Sequence, residues 1–196
     1  SFYLKKMPNL IKNIEKIQSN IPNDVTIVLA TKYATIEDIG IISDHFPNII
    51  FGENRVQHGS EKQNAFPNIM NPWHFIGHLQ RNKVKKVIGN YKLIHSVDSI
   101  RLLKEINTVS EKNNQTTDLL LQVNPEEEES KFGFNELSIL ETINELKGLN
   151  HINLKGLMAM APHTEDNAII KKTFKKTKLI YDKIKSDDFP IEYLSM

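Results

Sequence analysis

Residues 25–30 read VTIVLA, a run of β-branched and aliphatic side chains that directly follows the turn-forming residues 22–24, PND. A short apolar run bounded by turn residues predicts a strand that is buried on both faces, as in a parallel sheet. Lys32 follows two residues later, so its amine is expected at the mouth of an α/β fold, where ligands bind. Such an amine either extends into water or, partly desolvated, forms a Schiff base with an aldehyde. The run alone leaves both interpretations open.

Apolar runs and helical patterns alternate along the whole chain. Strands are predicted at residues 25–30, 49–51, 73–76, 93–97, 119–123, 154–160 and 191–196. Thr35 with Asp38 three residues later predicts a capping box at the first helix between them. Strands that alternate with helices over short loops predict a parallel sheet with helices outside it. An open doubly wound sheet and a (β/α)₈ barrel both fit this order. A helix that starts near Pro8, ahead of the first strand, favours the barrel.

The composition narrows the class of protein. A chain of 196 residues is expected to form one domain, and 25 basic against 24 acidic residues give no field that attracts nucleic acid or an anionic membrane. The absence of cysteine excludes disulfides, thiolate metal sites and a cysteine nucleophile. No apolar run approaches the ~20 residues that cross a bilayer, and no signal peptide is visible, so a cytoplasmic protein is expected. The basic cluster Arg81, Lys83, Lys85 and Lys86 lacks interleaved aromatic side chains and is interpreted as a solvated helix face.

Small polar groups follow the predicted strands. The residues at these ends include Lys32, Asn54, His78, Asp98, Asn124 and Met160. Such a set suits a polar heterocycle, because it holds neither a ring of carboxylates for a metal nor a Ser-His-Asp grouping. His74 and His78 are four residues apart, a spacing that brings two side chains to one metal only on a helix. Because residues 73–76 are predicted as a strand, a metal site at these histidines is not expected. Residues 52–54, GEN, also fit a plain turn, with Gly52 at positive φ and Asn54 as helix N-cap.

Several of these stretches, in this order, resemble the pyridoxal phosphate (PLP) homeostasis proteins, small single-domain relatives of the alanine racemase barrel. The matching residues are 30–32 (ATK), 51–57 (FGENRVQ), 73–83 (WHFIGHLQRNK), 95–98 (HSVD), 122–124 (QVN), 130–133 (SKFG), 156–162 (GLMAMAP) and 194–196 (LSM). The likeness extends from the first helix to the last residue. It implies a (β/α)₈ TIM-type barrel of the alanine racemase N-terminal type, with PLP at the carboxyl ends of the strands.

The resemblance also implies roles for individual residues. Lys32 falls on the lysine that the family uses for its Schiff base with PLP. Four residues at strand ends are expected to line the cofactor pocket, namely Asn54, His78, Met160 and Ser195. By analogy with the racemase barrel, Lys131 is a candidate partner for the 3-oxygen of the cofactor. No metal-binding or catalytic residue is implied.

The chain differs from the family pattern at its carboxyl end. In the family the pattern after Leu-Ser-Met continues with Gly-Met-Ser and later with an Arg-Ile-Gly segment on the eighth strand, and these supply most of the phosphate-binding groups. The sequence ends at Met196. Residues 1–196 are therefore expected to form a single, C-terminally incomplete barrel domain without the eighth strand. A retained part of a longer protein is the favoured explanation; a truly short chain would bind the cofactor poorly.

Three functions fit these expectations. The favoured one is a monomeric protein that holds PLP as a Schiff base on Lys32 and buffers or delivers it to client enzymes, without turnover. The first alternative is a PLP-dependent amino-acid racemase, which needs an acid/base group on each face of its substrate. Tyr33 is the nearest tyrosine, and strand alternation is expected to point it away from the lysine's face. The second alternative is a barrel that binds a phosphorylated metabolite non-covalently, for which Lys32→Ala would leave binding intact.

Overall fold

The computed structural model describes residues 2–126, 132–186 and 188–196. Its strands are β1 (Val28–Ala30), β2 (Ile50–Glu53), β3 (Trp73–Phe75), β4 (Leu93–Val97), β5 (Thr117–Val123), β6 (Ile152–Ala159) and β7 (Tyr193–Ser195). Its α-helices are α1 (Phe2–Ser19), α2 (Ile36–His45), α3 (Val56–Ala65), α4 (Val84–Val87), α5 (Ile100–Lys112), α6 (Glu136–Leu146) and α7 (Asn167–Ile184). A 3₁₀ turn, Arg81–Lys83, leads into α4. The predicted alternation of strands and helices is therefore confirmed.

The chain divides into two compact units, residues 1–74 and residues 75–196. In the first unit β1 pairs with β2 in parallel, with Val28 opposite Ile50 and Ala30 opposite Gly52. In the second unit β4, β5, β6 and β7 pair in parallel and in chain order. A doubly wound sheet reverses its strand order at a switch point, whereas a barrel keeps chain order. The second unit therefore has the strand order of a barrel. That residues 1–196 form one cofactor-binding domain stays a prediction.

Strand β1 is shorter than the sequence predicts. It begins at Val28, whereas residues 25–30 were expected to be extended and buried, and Val25 is 52% exposed. The Val25 N–H donates to the Pro22 carbonyl at 3.0 Å, so the turn continues through Val25. The remaining strands end within two residues of their predicted bounds. Helix α1 begins at Phe2, so the expectation that it starts near Pro8 is wrong.

Helix α2 confirms the predicted capping box. The Asp38 N–H donates to Thr35 Oγ1 at 3.1 Å, and the Thr35 N–H donates to Asp38 Oδ2 at 2.9 Å. This arrangement satisfies two N–H groups that a helix start otherwise leaves without partners. The next connection in the first unit is fixed by buried Asn71, whose Nδ2 donates to the carbonyls of Phe46 and Ile49. Local polar contacts thus define how the chain enters both α2 and β2.

The core of the second unit lies on and around β5. Leu119, Leu120 and Leu121 are fully buried, and Leu120 clusters with Leu93 and Met158 from the neighbouring strands. Consecutive buried residues are expected of a strand that is covered on both faces. Strand β7 closely approaches β6 at Gly156, because a Cβ at this position would lie 1.8 Å from the Tyr193 carbonyl oxygen. No helix within the described residues is long and apolar enough to cross a membrane.

Candidate functional site

Lys32 lies in a turn that begins where β1 ends. The Thr31 N–H donates to the Gly52 carbonyl at 2.8 Å, and the Ala34 N–H donates back to the Thr31 carbonyl at 2.9 Å. The Lys32 side chain is exposed, and its Nζ lies 4.9 Å from the centroid of the Tyr33 ring. Strand alternation does not apply in a turn, so the expectation that Tyr33 points away from Lys32 is wrong. The amine is open to an incoming small molecule.

A buried ion pair holds the residue that precedes Lys32. Lys62 Nζ lies 2.6 Å from Glu53 Oε2, and their side chains are 7% and 0% exposed. Lys62 Nζ also donates to the Thr31 carbonyl at 2.7 Å. Thr31 Oγ1 donates to Glu53 Oε2 at 3.0 Å. Thr31 is thus held through its N–H, its carbonyl and its hydroxyl, and the turn that carries Lys32 starts from a fixed point.

The charge of Glu53 is stabilised despite its burial. Burial alone would raise the pKa of Glu53, but hydrogen bonds from Lys62, from the Asn54 N–H and from Thr31, with the charge of Lys62, outweigh it. Together they hold that pKa below its ordinary value of 4.5. Because Glu53 is charged at neutral pH, Lys62 keeps its counter-ion in the unit's interior. A buried ammonium and carboxylate need each other and further hydrogen bonds to offset their desolvation.

Asn54 lies at the strand end next to Lys32. Ala30 pairs with Gly52, so Lys32 and Asn54 each lie two residues beyond paired positions of parallel strands. The Asn54 N–H donates to Glu53 Oε1 at 2.8 Å, whereas its half-buried side-chain amide makes no hydrogen bond to any described residue. The plain-turn interpretation of these residues is wrong, because Gly52 lies within β2 without a positive φ and Arg55 is the N-cap of α3. The Asn54 amide is left with its donors and acceptor available.

His78 lies three residues after β3, in the second unit. Its ring stacks on Phe132 with 4.2 Å between centroids and an interplanar angle of 21°. Its Nδ1 lies 3.1 Å from Asp98 Oδ2. The ring orientation is therefore set from two sides, by an aromatic face and by a carboxylate. His74 lies within β3, as expected. Among the described residues, no group of three or more metal-binding side chains is assembled.

Met160 and Ser195 lie at neighbouring strand ends in the second unit. Met158 pairs with Ser195, and the exposed Met160 is the first residue after β6. Ser195 Oγ lies 2.9 Å from Nδ1 of buried His95. The structure thus brings Met160 close to Ser195 through strand pairing, and gives the serine hydroxyl a histidine partner.

Residues 132–134 lie against the end of β5. The Phe134 N–H donates to the Gln122 carbonyl, and the Asn124 N–H donates to the Phe134 carbonyl, both at 2.8 Å. Gly133 has φ 125°, and a Cβ there would lie 2.9 Å from the Gln122 carbonyl oxygen. Only glycine allows this close approach at such a φ. The predicted site residue Lys131 lies outside the described residues.

Comparison with known proteins identifies the family. A family model described as alanine racemase, N-terminal domain, matches residues 7–196. The chain is 35% identical over 205 residues to the pyridoxal phosphate homeostasis protein of Helicobacter pylori strain 26695, covering 96% of this chain and 90% of that protein. It belongs to the pyridoxal phosphate homeostasis protein family. The homeostasis protein of Pasteurella multocida is 30% identical over 199 residues, covering 94% of this chain and 85% of its own.

Solved structures agree with this family and with the barrel fold. PipY of Synechococcus elongatus PCC7942, with PLP bound, superimposes with a TM-score of 0.86 at 25% identity, covering 95% of this homeostasis-family chain and 88% of PipY. Alanine racemase of Clostridium difficile 630 superimposes with a TM-score of 0.77 at 21% identity, covering 95% of this chain and 48% of the racemase. The second likeness concerns the fold alone. The predicted α/β fold of the alanine racemase N-terminal type is therefore confirmed.

Proposed function

We propose that this homeostasis-family chain binds PLP through a Schiff base on Lys32 and holds the cofactor for release to other enzymes. The observation that carries the proposal is the geometry of the Lys32 turn. Its amine is exposed, while Thr31 immediately before it is fixed by Gly52, Lys62 and Glu53. A fixed backbone with an accessible amine suits covalent capture that can be reversed. The PLP-bound structure of PipY supports the choice of cofactor.

The residues in the first unit fit the chemistry of the cofactor. Bound PLP supplies an aldehyde, which condenses reversibly with a primary amine. Lys32 would provide the amine, and the unpartnered amide of Asn54 would donate to or accept from the polar ring substituents. The Glu53–Lys62 pair would keep the Lys32 turn in place without contacting the cofactor. The family likeness further proposes His78, Met160, Ser195 and Lys131 as pocket residues at the ends of later strands.

The role of the protein follows from reversible binding. Because a free aldehyde reacts with many cellular amines, a protein that captures and returns it would buffer the cofactor. An exposed amine position leaves room for a second amine to displace Lys32. We further propose that the chain acts as a monomer in the cytoplasm and passes PLP to PLP-dependent client enzymes.

A racemase is the second candidate, and one contact favours it. The Tyr33 ring lies beside the Lys32 amine at 4.9 Å, which places a second titratable side chain near the reacting group. Racemisation, however, requires an acid/base group on each face of the substrate, and Tyr33 and Lys32 are neighbours in one turn. We therefore propose that PLP binding occurs without turnover. Incubation with an L-amino acid should give no more loss of chirality than free PLP gives.

PLP titration with reduction tests the proposal. The chain should develop absorbance near ~420 nm, and borohydride should fix a pyridoxyl group on Lys32 that peptide mass spectrometry locates. Lys32→Ala and Lys32→Arg should lose both signals, since neither side chain has a primary amine. Lys12→Ala removes another exposed lysine of the first unit and should keep them. Undiminished PLP binding by Lys32→Ala would instead support a non-covalent phosphometabolite barrel.

A further inference from the structure

A concave region lies in the second unit, near the carboxyl ends of β3 and β4. It is a cavity of about 570 Å³, here called the arginine cavity. Its lining includes His78, Arg81, Asn82, Asp98, Arg101 and Phe132. Neither Lys32 nor Asn54 belongs to it. His78 is also among the residues proposed for the PLP pocket, whereas Arg81, Asp98 and Arg101 are not.

The charges around the arginine cavity favour an anionic group. Arg81 and Arg101 are exposed, and neither forms an ion pair with a described residue. Helix α5 begins at Ile100 beside them, with the Ser99 side chain capping only the Leu102 N–H. The first N–H groups of a helix carry partial positive charge. Two guanidinium groups and a helix N-terminus thus surround one opening.

A buried carboxylate in the same cavity requires a hydrogen-bond donor. The Asp98 side chain is 8% exposed. Its Oδ2 lies at ion-pair distance from His78 Nδ1, 3.1 Å, but this contact is not aligned as a hydrogen bond, and no other described residue donates to Oδ2. A buried carboxylate oxygen without a donor costs stability, which a ligand N–H or O–H group would recover. The start of α5 would therefore bind an anionic group of a ligand, and the Asp98 carboxylate would bind a hydrogen-bond donor of the same ligand.

We propose that the arginine cavity binds the zwitterionic head of a free α-amino acid. The ligand carboxylate would bind the guanidinium groups of Arg81 and Arg101 at the start of α5, because guanidinium matches carboxylate geometry in two parallel hydrogen bonds. The ligand ammonium would donate to the Asp98 carboxylate in place of the half-exposed His78 ring, whose Nδ1 now lies 3.1 Å from Oδ2. A phosphate ion satisfies only half of this arrangement and is repelled by Asp98. The charge pattern thus selects an amino acid over a plain anion.

The test uses the PLP-free, ¹⁵N-labelled Lys32→Ala chain, so that no amine can react with cofactor at Lys32. L-alanine is titrated while the amide signals of Ile100 and Arg101 are followed. N-acetyl-L-alanine, L-alaninamide and inorganic phosphate are titrated at the same ionic strength. Saturable shifts are expected with alanine at millimolar concentration. Each of the other compounds, which lack the ammonium, the carboxylate or both, should bind at least about tenfold more weakly.

Variants assign the binding to the arginine cavity. Asp98→Asn and Arg101→Gln should each weaken alanine binding about tenfold, while Arg55→Gln, an exposed arginine of the first unit, should not change it. Retained signal dispersion shows that each variant is folded. The proposal is overturned if alanine causes no saturable shift, or if phosphate binds as tightly as alanine and Asp98→Asn leaves alanine binding unchanged. Neither result bears on PLP capture by Lys32, because PLP is absent throughout.

Discussion

Lys62 Nζ lies 2.6 Å from Glu53 Oε2 in the interior of the first unit. The pair joins α3 to the end of β2, and Lys62 extends the connection to the Thr31 carbonyl. Lys32 is the next residue. The position of the amine that is proposed to hold PLP therefore depends on a buried ion pair that is not itself proposed to bind the cofactor. This dependence can be measured separately as stability and as cofactor capture.

Removing the ammonium should destabilise the protein strongly. Lys62→Met keeps the length of the side chain but leaves the Glu53 carboxylate buried without its counter-ion. We expect a loss of about 3–5 kcal/mol in the free energy of unfolding, the usual cost of breaking a buried pair. Urea unfolding at pH 7 measures it, with Lys12→Met as the exposed control. The double variant Lys62→Met/Glu53→Gln should recover part of the loss, because no buried charge remains; equal losses in both variants would contradict this account.

The stability of the chain should depend on pH through Glu53. Its folded pKa lies below the ordinary 4.5, so the unfolded chain binds a proton first as the pH falls. The stabilisation is fully present above pH 4.5 and is lost as the pH falls through the folded pKa. In Lys62→Met, burial dominates and should raise the pKa of Glu53. The difference in the free energy of unfolding between Lys62→Met and the unmodified chain should then become smaller as the pH falls.

Glu126 provides the control for the pH measurement. Burial raises its pKa, but Lys176 and Lys172 outweigh burial and hold it below the ordinary value. Both lysine partners are exposed, so salt should screen their two ion pairs with Glu126. At low salt, Glu126→Gln should change how the free energy of unfolding decreases at acidic pH. At high salt, the change should be much smaller. The contribution of Glu53 to the free energy of unfolding should persist at high salt. Its disappearance at high salt would show that the Glu53–Lys62 pair is not shielded from solvent.

Gly156 should tolerate no side chain. Its φ is 156°, and a Cβ would lie 1.8 Å from the Tyr193 carbonyl oxygen, so β6 and β7 would have to separate. We expect Gly156→Ala to cost about 3 kcal/mol or more, which places it among the larger effects of single substitutions. Gly148→Ala is the matched control, since its Cβ would meet only the Glu145 carbonyl oxygen at 3.7 Å. Thermal unfolding compares the two, and equal melting temperatures would refute the close approach.

Local patterns in the sequence predicted local structure well. The Thr35–Asp38 capping box and strand β4 were both predicted from neighbouring residues, because helix caps and apolar runs are encoded within a few positions. The apolar pattern of α6 does not by itself give its buried face. Leu137 is 75% exposed, whereas Thr142 is fully buried, since packing against the rest of the unit decides which face turns inward.

Contacts between distant positions could not be predicted. Lys62 lies on a polar helix nine residues after Glu53, and nothing in that spacing distinguishes it from a solvated lysine. The family motif pointed to Lys32 and Asn54, and the parallel register placed them at neighbouring strand ends. The stack of His78 on Phe132 joins residues 54 positions apart, beyond the reach of any periodicity. The sequence therefore pointed to Lys32 as the candidate amine, but not to the ion pair that positions it.

Asn54 offers the sharpest test of cofactor contacts in the first unit. Its N–H is held by Glu53 Oε1 at 2.8 Å, while its side-chain amide bonds to no described residue. If the amide contacts PLP, Asn54→Ala should remove one hydrogen bond worth about 0.5–1.5 kcal/mol and raise the Kd for PLP about two- to tenfold. Borohydride should still fix the cofactor on Lys32, because the amine is unchanged. Asn48→Ala, an exposed asparagine of the same unit, should leave the Kd unaltered. Equal Kd values for the two variants would remove Asn54 from the site.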